Sequence, residues 1–200
     1  MKLGKTLKNT GYVVLPILVI AGAVVYAAVS SGKPSVPANF TSARQNASQV
    51  SQEIVTLTTT VNQKIAEANT AESQGDTAAV LTAINDARTA NATAYEKAFA
   101  LSQDLQQMTE SMSTIDSVKS QQLAYEAVAV ELSLVSEFIA YTGSLNDFLN
   151  SLARSIAASN RTNSQAVTEA LKTVNQKAAT IDQLNQEFGQ KMAAFDASVK

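Results

Sequence analysis

Few side chains in this 200-residue chain are placed to do chemistry, and Glu131 is the first to weigh. At helical spacing its neighbours three and four residues away are Ala127, Val128, Leu134 and Val135, all apolar. A carboxylate there either reaches solvent at the edge of an apolar seam or is buried beside a cation. Burial without a partner is costly and drives the group towards its protonated form. Arg88 and Lys97, on the preceding antiparallel helix, are the expected partners. Tyr125 and Tyr141 lie on the apolar stripes beside Glu131, so the three together mark where a bundle interior would hold a small ligand. Asn91 is the one polar residue on an otherwise apolar seam, where an amide more often fixes helix register than binds a ligand. Met108 and Met112, at seam spacing, read as core gap-fillers.

The missing residue types narrow this chemistry further. The chain has no Cys, His or Trp. Disulfide scaffolds, thiolate nucleophiles, zinc knuckles and Ser–His relays are therefore excluded. Di-iron bundles built on Glu-x-x-His pairs are excluded with them. No G-x-x-x-x-G-K, G-x-G-x-x-G or G-x-S-x-G motif occurs, which removes the usual phosphate loops and nucleophile elbows. No cofactor or metal is expected, and the reading is of a non-enzymatic protein. A formal charge of −2 gives no reason to expect nucleic acid as a partner.

The elements that would position these residues begin with an apolar segment. Residues 1–11 carry Lys2, Lys5 and Lys8 and no acid, and residues 12–29 (YVVLPILVIAGAVVYAAV) carry no charge. Eighteen helical residues reach roughly 27 Å, close to the hydrocarbon thickness of a bilayer. The segment is expected to be a transmembrane signal anchor contacting the lipid bilayer. The lysines before it place the N-terminus in the cytoplasm and the rest of the chain outside. The rival expectation is a cleaved signal peptide, which would release a secreted bundle. Ala23 and Ala27 form a small-xxx-small pair of the kind through which two anchors can pack, a spacing that an Ala-rich segment also yields by chance. Residues 30–39 (SSGKPSVPAN), with Pro34 and Pro37, read as a semi-rigid linker.

Beyond Pro37 no proline occurs, and heptad spacing predicts helices over about 40–73, 77–112, 115–158 and 163–199. In the first, Phe40, Ala43, Ala47, Val50, Ile54, Leu57 and Val61 form the seam, with Ser42-x-x-Gln45 as its capping box. Gly75 and Asp76 make a stop–start pair. In the second, the seam runs from Ile84 through Asn91 to Met112. Ser113-x-x-Asp116 is the cap expected for the third helix; should that boundary fail, helices two and three fuse into one rod. The third helix carries two adjacent apolar stripes, one of them Tyr125, Val128, Leu132, Val135 and Ile139, as expected of a helix with two neighbours. The fourth is read through Val174, Ala178, Ile181, Leu184 and Phe188. Gly143 and Gly189, inside helices, are expected to mark kinks or close contacts.

The fold class that follows is all-α: an N-terminal transmembrane helix, then an up-down-up-down four-helix bundle (residues 40–200) with coiled-coil-like packing, about 50 Å long. In outline this resembles the ligand-binding modules of bacterial chemoreceptors, and no residue role follows from that outline. Four sequons, at Asn39, Asn46, Asn91 and Asn160, are no more than this Asn, Ser and Thr content yields by chance. Divided by compartment, residues 1–33 carry a formal +4 and the remainder −6. The expected function is a structural or protein-interaction module, through self-association or another protein; a sensor-like, small-ligand-binding bundle is the alternative.

Overall fold

After Pro37 the chain is free of proline and rich in Ala, Gln and Leu, and it stays helical almost throughout. A computed structural model describes residues 36–158 and 163–199. Its elements are α1 (Ala38–Gln74), α2 (Thr77–Ser111), α3 (Val118–Ala158) and α4 (Asn163–Ser198), with one turn of 3₁₀ helix at Met112–Thr114. Among the described residues there is no strand. The basic tail, the expected span 12–29 and most of the linker lie outside the described residues, as do residues 159–162 of the polar turn. Among the described residues no helix is long and apolar enough to cross a membrane.

Local chemistry sets the helix ends. Gly75 sits at φ 76° and terminates α1, and the Asp76 amide donates back to the Ala71 carbonyl at 3.0 Å. A residue with a Cβ resists that left-handed conformation. Asp76 then caps α2, its Oδ1 accepting from the Ala79 amide at 2.9 Å. The Ser42 capping box does not form: α1 begins earlier, at Ala38, behind Pro37 and without a side-chain cap. Proline there pre-sets the backbone and lacks the donor that a cap would satisfy. The break between α2 and α3 also differs in detail from expectation. Ser117, not Ser113, accepts from a first-turn amide of α3 (Ser120, 3.3 Å). Met112 and Ile115 are buried, and the Gln121 amide donates to the Ile115 carbonyl at 2.7 Å. Buried apolar side chains, rather than Gly or Pro, thus hold this corner.

Cross-helix pairs give the direction and register. Lys64–Asp86 (3.4 Å) and Lys97–Glu53 join α1 to an antiparallel α2. Lys177–Glu137 (3.0 Å) and Lys191–Glu126 (2.9 Å) join α4 to an antiparallel α3. The Asn91 amide on α2 donates to the Thr142 carbonyl on α3 at 2.8 Å. Within the α1–α2 and α3–α4 hairpins the backbones run close, whereas α1 and α4 stand further apart. Long side chains at one end bridge that wider gap: Phe40 meets Phe195 (centroids 5.4 Å apart), and Arg44 grips Asp196 through two bonds of 2.7 and 3.0 Å.

One apolar core runs the length of the helices. Every seam position read for α2, from Ile84 to Met112, is buried. On α1 the buried row passes through Ser51 and Thr58, and Val50 and Leu57 are only partly buried. Both hydroxyls bond the carbonyl one turn back, Ser51 to Ala47 (2.7 Å) and Thr58 to Ile54 (2.8 Å), so each enters the core already satisfied. On α3, Tyr125 and Leu132 are exposed, which corrects the expectation of two buried stripes. A Cβ added at Gly143 or Gly189 would meet nothing within 4 Å, so neither glycine marks a close contact.

Candidate functional site

Glu131 is buried, with 3% of its surface exposed, and is not at a seam edge. Neither expected cation pairs with it. Lys97 is taken by Glu53 on α1, and Arg88 donates to Asn85 one turn before it on its own helix. The cation whose charge reaches Glu131 is Arg44, on α1. Arg44 also holds Asp196 in its two-bond pair. One guanidinium therefore serves two carboxyls, and the geometry favours Asp196, which keeps about a fifth of its side chain in solvent. Burial pushes the Glu131 carboxyl up to about 8, and Arg44 pulls it back only in part. At neutral pH Glu131 is a neutral acid in the core.

Its level in the bundle follows from the α3–α4 register. Glu131 is five residues beyond Glu126, and Asn185 is six before Lys191, the partner of Glu126. Both therefore lie at one height. Asn185 continues the three–four spacing of Ala178, Ile181, Phe188 and Met192, and its Oδ1 is buried without a hydrogen-bond partner. The sequence reading placed Leu184 in that seam, and Leu184 is only partly buried. The unbroken spacing through Asn185 was the signal to follow.

Asn91 is buried and bonds the α3 backbone, as a register-fixing amide does. Its burial leaves no room for a glycan on that sequon. Tyr141 is also buried, stacked on Phe138 (centroids 5.8 Å apart), and its hydroxyl has no partner. Asn175, near Tyr141 in height by the same register, likewise has a buried Oδ1 without a partner. Tyr125, in contrast, is exposed, so Glu131, Tyr125 and Tyr141 do not converge on one interior site. An open groove of about 510 Å³ lies on α1, lined by Gln63, Ala66, Glu67, Thr70, Ala71 and Gln74, remote from Glu131. Among the described residues no three acidic side chains gather as a metal site would require.

The surface carries a stronger feature than the interior. Tyr95 (47% exposed), Phe99 (56%), Tyr125 (43%) and Leu132 (40%) are large apolar side chains left in solvent. On α2, Tyr95 and Phe99 continue the four-residue row from Asn91, which faces α3, on the flank away from Lys97, which faces α1. On α3, Tyr125 and Leu132 lie on the flank away from Glu126 and Glu137, which face α4. The register of Asn91 with Thr142 brings Phe99 to the height of Leu134, close to Leu132. These four residues therefore share the face formed by α2 and α3. Periodicity alone did not reveal this face, because an apolar residue beside a seam reads the same whether a neighbouring helix covers it or not. The chain matches no protein-family model, no curated protein and no solved structure, so the reading of this face rests on its own geometry.

Proposed function

We propose that this chain is a non-enzymatic, single-pass membrane protein that displays a helical bundle outside the cell as a protein-interaction module. The α2–α3 face carries the reading. Soluble monomers seldom expose several large apolar side chains on one face unless it binds something. Aromatic residues are also the types enriched where proteins meet. The interior offers less: Tyr125 is exposed and does not join Glu131 and Tyr141 in one interior site, which weighs against the sensor-like alternative. The anchor is read from the uncharged run 12–29 and the lysines before it. Coiled-coil-like packing of the antiparallel bundle supplies a stiff display, with the α2–α3 face running along its side.

Alkaline carbonate extraction of membranes bearing the full chain, followed by protease treatment from the outer side, tests this reading. The intact chain is expected in the membrane pellet, with the bundle digested from outside. Release of the uncleaved chain into the supernatant would refute the anchor. Recovery of a shortened chain lacking residues 1–29 would favour the secreted form.

A further inference from the structure

The row of α2 side chains along the exposed face has a symmetry of charge. Stepping along it, Arg88 comes first, then Ala92, Tyr95, Phe99 and Gln106, and Glu110 last. Arg88 lies eleven residues before Phe99 and Glu110 eleven after, about 16 Å along the helix in each direction. Neither makes an ion pair among the described residues; Arg88 contacts Asn85 and Glu110 accepts from Gln106, both at 3.4 Å. Between them this row carries no charge, and Glu96, three residues before Phe99, stands exposed at its edge. The facing part of α3 is neutral as well, because Glu131 is buried and Glu137 is turned to Lys177 on α4.

We propose that the α2–α3 face binds a second copy of this chain, the two α2 helices antiparallel about a two-fold axis at Phe99. In that arrangement Arg88 of each copy meets Glu110 of the other, so two ion pairs flank an apolar centre of Phe99, Tyr95 and Leu132. An isologous contact requires a self-complementary patch, and equal spacing of opposite charges about one aromatic residue provides it. The alternative routes are less favourable: residues 34–200 carry a formal −6, so two copies repel each other except through a neutral or complementary face. The inference rests on the reading of this face as an interaction surface and names its partner.

The test uses the full chain in detergent micelles, with mass measured by light scattering and the contact probed by single cysteines. The natural chain has no Cys, so Phe99→Cys reports only on its own environment. On the two-fold axis it is expected to form a disulfide-linked dimer on mild oxidation, while Thr56→Cys, exposed on α1, does not. Arg88→Glu and Glu110→Arg, each alone, place like charges together and are expected to weaken the dimer more than about tenfold. Combining both restores opposite charges across the axis and is expected to restore the dimer. A monomeric wild-type chain would overturn the proposal while leaving the anchor and outward display standing. So would a dimer indifferent to both single reversals, which would place self-association in the anchor. Failure of the double variant to recover, with its helical content intact, would also overturn it.

Discussion

A buried acid with a shared cation makes stability depend on pH in a definite direction. In the unfolded chain Glu131 ionises near its ordinary value of 4.5, and in the bundle it holds its proton to about 8. Between those values the folded state binds a proton that the unfolded state has lost. Stability contributed by this group is therefore full below about 4.5 and declines as pH rises, by up to about 1.4 kcal/mol per pH unit, until the carboxyl ionises in the bundle. Glu131→Gln keeps the shape and a donor without the titration. We expect the variant to flatten this decline and to be the more stable protein at about pH 8, read from urea unfolding of both proteins across the range. A decline of equal slope in the variant would assign the effect elsewhere. Tyr141 makes a second case, since its buried hydroxyl has no partner. Tyr141→Phe removes an unsatisfied polar atom and is expected to stabilise by about 1 kcal/mol in the same assay; a loss of stability would show that the hydroxyl is bonded.

At the scale of elements, the glycines separate into two kinds. Gly75 holds φ at 76°, and Ala there is expected to cost about 1 kcal/mol. Gly143 and Gly189 lie inside helices with open space where a Cβ would stand, so Gly143→Ala and Gly189→Ala are each expected to raise stability by about 0.5–1 kcal/mol. Thermal melts of the three variants would show opposite signs, and a drop for Gly143→Ala would mean that the helix needs its flexibility. The same contrast shows what a sequence can and cannot carry. Gly75 and Asp76 were legible because a left-handed cap followed by an acceptor is a local device, complete within a few residues. The α2 seam was legible because its apolar spacing is interrupted only at Asn91. Ser51, Thr58 and Asn185 were not, since a search for apolar residues passes over polar ones that occupy seam positions. The partner of Glu131 was not legible either. Arg44 is far from it in sequence, and only the fold brings its charge within reach of Glu131.

For the whole molecule the least supported junction is the one between α1 and α4, where the backbones stand apart. Phe40–Phe195 and Arg44–Asp196 bridge it at the end from which α1 starts. At the same end Ser198 Oγ donates to Ser120 Oγ at 3.0 Å, tying α4 to the start of α3. The two hairpins are thus fastened along α2–α3 and closed at one corner. Asp196→Asn weakens that corner and leaves the hairpins intact. Hydrogen exchange is expected to quicken over the first turns of α1 and the last turns of α4, while Thr77–Ser111 keeps its protection. The substitution has a second, distant consequence. Arg44 would no longer divide its charge between two carboxyls, so more of its field would fall on Glu131 and favour the ionised form. The pH-dependent decline in stability should then end at a lower pH than in the wild-type chain. Local fraying and a lowered Glu131 titration, seen together in one variant, would establish that the three groups act as a unit. Fraying with Glu131 unmoved would show that Asp196 holds the corner alone.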